Sequence, residues 1–252
     1  GIPLELVELA RELVDKNLVH YLGGVWELPF ELPSSGDRPA ARDAVATRLA
    51  GLSGSARAMA NALAVLGGPA SETQFVPLSG CASSEEAFAA LDELEQQGIV
   101  VGAAGVYRFR HDVYLDAALE GIAAERQRQL HLLAGESIIA EGSSDPSRDA
   151  EAGWHLHRAG DVRRGARLLE SAGRRLFEEQ ALRESAVALE SAVAEYRKQG
   201  RPDSSCLELE FMLLASGAMY DRPLGLRHLH VVERYHEHIG FSVARRLARG
   251  VG

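Results

Sequence analysis

The chain has 252 residues, 46% of them hydrophobic and 25% charged, with a net charge of −9. That is enough to bury a core in roughly one large or two to three small domains, and the acidic balance speaks against a general nucleic-acid surface, where phosphates need clustered cations. No apolar run approaches the roughly 18 to 20 residues of a bilayer span, and the N-terminus lacks the basic and apolar segments of a signal peptide, so the expectation is a cytoplasmic protein with no membrane partner.

Residues 4 to 15, LELVELARELVD, place Leu6, Leu9, Ala10 and Leu13 on one stripe at helical spacing and predict an amphipathic helix. Tyr21 to Trp26 then read as a small hairpin with Gly23-Gly24 at its turn, followed by a loop from Pro29 to Pro39 and a helix at about residues 40 to 51. From Ser53 onward the pattern predicts helix, helix, helix, hairpin. The first helix carries Ala56, Met59, Ala60, Leu63 and Leu66 on one face, and the second is short, near Glu72 to Leu78. The third opens with the capping box Ser83-x-x-Glu86, buries Ala87, Phe88, Leu91 and Leu94, and stops at Gly98. Ile99-Val100-Val101 and Val106 to Phe109 pair as a hairpin across Gly102 to Gly105. Three helices and a hairpin predict a winged-helix domain. Beyond it the signal is helical, with Asp145-Pro146 as N-cap and first helical residue and with Gly160, Gly200 and Gly240 as punctuation.

Within that run lies a near-repeat, RRGARLLESA from Arg163 and RESAVALESA from Arg183, twenty residues apart. In the second copy Leu182, Ala186, Leu189, Val193 and Tyr196 trace an apolar stripe, and the small residues Ala166 and Ala186 occupy matching places suited to close helix contact. The spacing is shorter than the tetratricopeptide period of about 34 residues because it compares successive helices, and degenerate tetratricopeptide-like helical hairpins are the best reading. The fold class predicted is therefore mainly α: residues 1–52 a lid fragment with a small hairpin, 53–119 a winged-helix domain with small β-hairpins, and 120–252 a tetratricopeptide-like helical-hairpin solenoid.

The order of these features resembles the STAND class of AAA-type signalling ATPases, in particular bacterial regulators in which the ATPase core precedes a winged helix and helical repeats. Gly1-Ile2-Pro3-Leu4 is similar to the GxP element of that class, whose proline lies against the adenine of bound nucleotide and whose following helix belongs to the ATPase lid. Phe109-Arg110-His111-Asp112 is similar to its FRH or MHD signature, whose histidine contacts the β-phosphate of ADP and holds the resting state. AGDVRRGARLLESAG is similar to the repeats that follow this module. The resemblance implies Gly1, Pro3 and His111 as nucleotide-binding residues. Many relatives place an arginine four residues beyond the histidine, where this chain has Leu115.

A P-loop needs G-x-x-x-x-G-K-[ST], and neither lysine, Lys16 or Lys198, follows a glycine, so this chain is expected not to be an enzyme and to hold no cofactor alone. On the family reading ATP or ADP is bound by the full-length protein, whose ATPase core precedes Gly1. A start without methionine and an end at Val251-Gly252 agree with a piece of something longer.

His111 also has the plain reading of a polar residue at a strand-to-helix turn, and Asp112 that of a helix N-cap. The third helix, SEEAFAALDELEQQ, carries five carboxylates and no cation, so direct DNA binding by the winged helix is not expected. His228, His230, His236 and His238 form two H-x-H pairs, but residues two apart on a helix diverge and those eight apart lie about 12 Å from each other, so no metal site is expected. Trp154, His155 and His157 read as helix-packing residues, and the many carboxylates as solvated helix faces that give no catalytic site. Cys81 and Cys206 read as buried small hydrophobes, and the predominance of arginine, 25 of 27 basic residues, as compositional bias. The function expected is a regulatory and sensor segment, the winged helix clamping nucleotide and the repeats receiving a protein or peptide partner. The rival readings are a tetratricopeptide-type scaffold with no nucleotide role, and part of a transcription regulator or protein kinase whose output domain lies elsewhere.

Overall fold

The structure, a computed structural model, describes residues 20–22, 25–27 and 41–234. The expected helix over 4–15, the loop over 29–39, Gly1, Pro3, His236, His238 and Gly240 lie outside them. The described chain is mainly helical, with eleven α-helices and small antiparallel sheets, and it divides into two compact units, residues 1–127 and 128–252.

In the first unit β1 (His20–Leu22) and β2 (Val25–Glu27) pair antiparallel with Leu22 opposite Val25, as the sequence predicts. After α1 (Ala41–Ala50), Ser53 caps α2 (Gly54–Leu66), its Oγ accepting from the Ala56 N–H at 3.1 Å, and Gly67 ends the helix at φ 75°. Ala56, Met59, Ala60 and Leu63 are buried on α2 as expected, while Leu66 is half-buried. A strand the sequence did not signal follows. β3 is only Ala70–Ser71, too short for any alternation, and it pairs with β5. Its second residue also starts α3 (Glu72–Ser79) through a capping box with Gln74.

Ser83 caps α4 (Ser84–Gln96), accepting from the Glu86 N–H at 3.2 Å, while the Glu86 carboxylate reaches back to the Ala82 N–H at 2.8 Å. Ala87, Ala90, Leu91 and Leu94 form the buried stripe of α4. Phe88 does not join it: one step along a helix rotates it about 100° out of that stripe, and it stands 54% exposed, against expectation. β4 (Val100–Ala103) and β5 (Val106–Phe109) pair through Val101–Arg108 to Ala103–Val106. The expected four-residue connection is thus only Ala104-Gly105, at φ 51° and 77°, the positive pair a type I′ turn requires. The sheet order is β3-β5-β4. Phe75 of α3 packs edge-on against Tyr107 of β5 at 5.6 Å, and the Tyr107 hydroxyl donates to Glu72 at 3.0 Å. α5 (Asp112–Gly121) follows directly and lies against α1 and α2.

The second unit continues from α6 (Ala124–Glu141) through α7 (Pro146–Ala159), α8 (Val162–Glu178) and α9 (Leu182–Lys198). A 3₁₀ turn at Asp203–Cys206 leads to α10 (Leu207–Tyr220) and α11 (Arg222–Arg234). Asp145 caps α7 at the Ser147 N–H, 2.8 Å, with Pro146 in the first turn, as predicted. Helices α7, α8 and α9 end alike. Residues 160, 180 and 200 carry φ of 97°, 66° and 75°, and Asp161, Ala181 and Arg201 donate back to Leu156, Leu176 and Tyr196 carbonyls at 3.0, 2.9 and 3.0 Å.

Neighbouring helices run antiparallel: Glu170 meets Tyr196 and Gly173 meets Ser185 and Leu189. Ala166 and Ala186 are buried as expected, but the closest approach belongs to glycines. A Cβ at Gly165 would lie 2.8 Å from the Gly153 carbonyl oxygen and the His157 nitrogen, so α7 and α8 touch backbone to backbone. Leu169, Leu189, Val193, Tyr196, Leu209 and Leu213 anchor the core of this unit.

Candidate functional site

The β5–α5 junction is where the sequence placed the candidate site. The ladder between β4 and β5 extends one residue past Phe109, with the Arg110 N–H donating to the Ile99 carbonyl at 2.9 Å. This keeps the backbone extended through His111, at φ −143° and ψ 145°, and helical dihedrals begin at Asp112. His111, not Asp112, is therefore the N-cap residue. Asp112 occupies the first turn, where its carboxylate opposes the positive end of the helix dipole without capping it. The His111 side chain makes no capping hydrogen bond, and both residues are exposed.

The turn beneath His111 is anchored from inside. The Tyr114 N–H donates to the His111 carbonyl at 3.1 Å, the Tyr114 ring is fully buried, and its hydroxyl accepts from Arg48 Nη1 of α1 at 2.9 Å. In the same unit α1, α2 and α5 line a pocket of about 220 Å³, open to solvent, with Leu49, Ala60, Asn61, Ala118 and Arg57 in its walls. The Arg57 guanidinium closes the end of α1 by donating to the Ala50 and Leu52 carbonyls at 2.8 and 3.1 Å. An exposed imidazole at a helix N-terminus is a chemically suitable contact for an anionic oxygen. Pro3 and Gly1, the adenine side of the expected site, lie outside the described residues.

Three of the five carboxylates of α4 hold backbone N–H groups of the same unit: Glu86 at Ala82, Glu93 at Ser53 and Glu95 at Gly102. Glu85 and Asp92 stand exposed near Phe88.

The second unit holds titratable pairs that the sequence did not signal as pairs. His131 of α6 and His155 of α7 meet Nδ1 to Nδ1 at 2.9 Å, only 3% and 5% exposed. Burial pushes both imidazoles down to about 4, reinforced at His131 by the Arg158 charge and at His155 by His131, Arg158 and Arg148. Each sits within an inward stripe, Leu130–Ala134 and Ala152–Leu156, which is the only trace the sequence carries of the pair. His157 meets Glu195 at 3.3 Å.

Two carboxylates depart from the expectation of solvated faces. Glu195 is 6% exposed, with His157 of α7 and Gln199 beside it, and Glu210 is fully buried between Arg197 of α9 and His228 of α11. Glu210 accepts from Arg197 at 2.6 Å and faces His228 Nδ1 at 2.5 Å, while His228 Nε2 is buried without a partner among the described residues. The structure thus separates His228, in the interior, from His230, which points to solvent. Among the described residues no group of three or more His, Cys, Asp or Glu side chains could hold a metal ion, and no helix is long and apolar enough to cross a membrane.

Comparison of the chain with protein-family models, curated proteins and solved structures finds no match.

Proposed function

We propose that this chain is the regulatory segment of a STAND-type signalling ATPase, with residues 53–119 forming a winged helix that clamps nucleotide and residues beyond 120 forming tetratricopeptide-like hairpins that take up a protein or peptide signal. One observation carries the reading. His111 stands exposed and without a capping bond at the start of α5, directly after β5, in a unit whose elements run α2-β3-α3-α4-β4-β5 with sheet order β3-β5-β4. That order of helices and strands, followed by antiparallel helix pairs, supports the resemblance drawn from Pro3, the FRH segment and the repeats. An imidazole at a helix start suits an oxygen of a bound phosphate group.

On this reading His111 donates a hydrogen bond to the β-phosphate of ADP held mainly by an ATPase core that precedes Gly1 in the complete protein. The bond favours the closed state, and a partner that binds the open state better shifts the population away from it. Phosphoryl transfer belongs to the core, since this chain contains no P-loop lysine. The test is ADP retention by the full-length protein. His111→Ala is expected to release ADP about tenfold faster, as the loss of one hydrogen bond to a charged group implies. Retention equal to wild type would sink the latch.

A further inference from the structure

We infer that the outward face of α6, together with the start of α8, is a docking surface for an acidic amphipathic helix of a partner protein; the inference rests on the reading of the helical region as the part that takes up a protein or peptide signal. At about 100° per residue, Leu132 and Ile139 lie roughly 40–60° to one side of Glu136 around α6, and Leu133 about 60° to the other. All three share the face turned away from the stripe that Leu130, Ala134 and Ile138 bury. Leu132, Leu133 and Ile139 stand 41%, 49% and 38% exposed. Single leucines scattered over a surface need no explanation, but three large apolar side chains within about two turns of one helix make a patch of the kind that marks an interaction site.

The charge beside the patch says what covers it. Glu136, at its centre, takes both terminal guanidinium nitrogens of Arg164, at 2.6 and 3.3 Å, which brings the first turn of α8 alongside. Of the five arginines of α8, Arg164, Arg174 and Arg175 each reach a carboxylate. Arg163 and Arg167, four residues apart and so on one face, are exposed and have no ion pair or hydrogen bond among the described residues. The acids that reach this turn, Glu136 and Asp161, are already held by Arg164. A partner seated here therefore needs apolar residues at helical spacing for the α6 patch and carboxylates on the flank that meets the two free guanidiniums, each suited to a bidentate contact. A nucleic acid would meet the same two cations but gain nothing from the leucines, and the chain's charge of −9 would oppose its phosphates. The patch and both arginines lie within the second unit.

The probe is a short labelled synthetic helix with leucine at every third and fourth position and glutamate between, beside a counterpart with lysine for glutamate, each titrated with the intact chain and followed by fluorescence anisotropy. General attraction to an acidic chain favours the lysine peptide, so a preference for glutamate has to come from local cations. The glutamate peptide is expected to bind about tenfold tighter. Arg163→Glu/Arg167→Glu is expected to reverse the preference, and Leu132→Ser/Leu133→Ser to weaken the glutamate peptide about tenfold, the scale of partly burying two leucines. Val187→Ser removes an equally exposed apolar side chain from α9 and is expected to change nothing. All five side chains are exposed, so thermal melting is expected to stay near wild type. No preference for glutamate, binding indifferent to either double variant, or tighter binding of a labelled single-stranded oligonucleotide overturns the docking surface. Glutamate-peptide binding through these residues that leaves ADP release from the full-length protein unchanged keeps the surface and overturns the signalling reading.

Discussion

Two imidazoles that face each other through Nδ1, as His131 and His155 do, have one hydrogen between them, one ring donating and the other accepting, and their burial is what holds both neutral. Both are held down to about 4 from 6.5. Their depressed values set a direction for stability against pH. Above about pH 6.5 both folded and unfolded chains carry them neutral and the contribution is complete. Between there and about pH 4 the unfolded chain binds protons that the folded chain refuses, so stability falls as pH falls. Urea midpoints measured from pH 7.5 down to 5 are expected to decline in wild type and to decline less in a His131→Leu/His155→Leu variant; equal slopes would contradict the buried neutral pair. His155 was legible as a helix-packing residue beside Gly160. Its partner was not, because the two lie 24 residues apart and nothing local marks the meeting. Glu210 was illegible for a related reason. A glutamate in a helix reads as solvated until a second and a third helix supply Arg197 and His228.

Among the elements, the three matching helix ends show what repetition in sequence buries and reveals. Gly160 and Gly200 reach the left-handed region without strain, but the same joint between α8 and α9 is turned by Gln180 at φ 66°. Relief of that backbone strain outweighs the entropy glycine adds to the unfolded chain, so Gln180→Gly is expected to stabilise by about 0.5–1 kcal/mol in chemical denaturation. The opposite change is expected within α8 itself. Gly165→Ala favours the helix by about 1 kcal/mol in isolation, yet its Cβ would press at 2.8 Å on the Gly153 oxygen and the His157 nitrogen. Backbone cannot rotate aside, so a net loss of about 1–3 kcal/mol is expected in the same assay. The twenty-residue repeat announced the paired helices and the places of Ala166 and Ala186. It did not announce the glycine contact, since Gly153 and Gly165 fall in different helices and only folding sets them face to face. Phe88 shows the reverse error: a large apolar residue in a helical pattern was assigned inward, although Ala87, Leu91 and Leu94 already filled the stripe and left it outside.

At the scale of the molecule, what the sequence displayed best was local and periodic: α2, α4, the β4–β5 hairpin, the Asp145-Pro146 start of α7, and the chain order of helices and strands. The two-residue β3 escaped because a strand that short has no pattern and exists only by pairing with β5, 36 residues later. The candidate site divides the same way. His111 at a strand-to-helix junction was visible, while the hydrogen bond of Arg48 to Tyr114 one turn further on, 66 residues apart in sequence, was not. One consequence of the matched joints concerns which deletions would preserve the run of the helices. Each joint turns the polypeptide back on itself, so excising a single twenty-residue unit would rejoin two like ends but send every later helix the opposite way. Excising two restores the heading. A deletion that leaves the later helices running as they do therefore spans forty residues, as from Gly160 to Gly200.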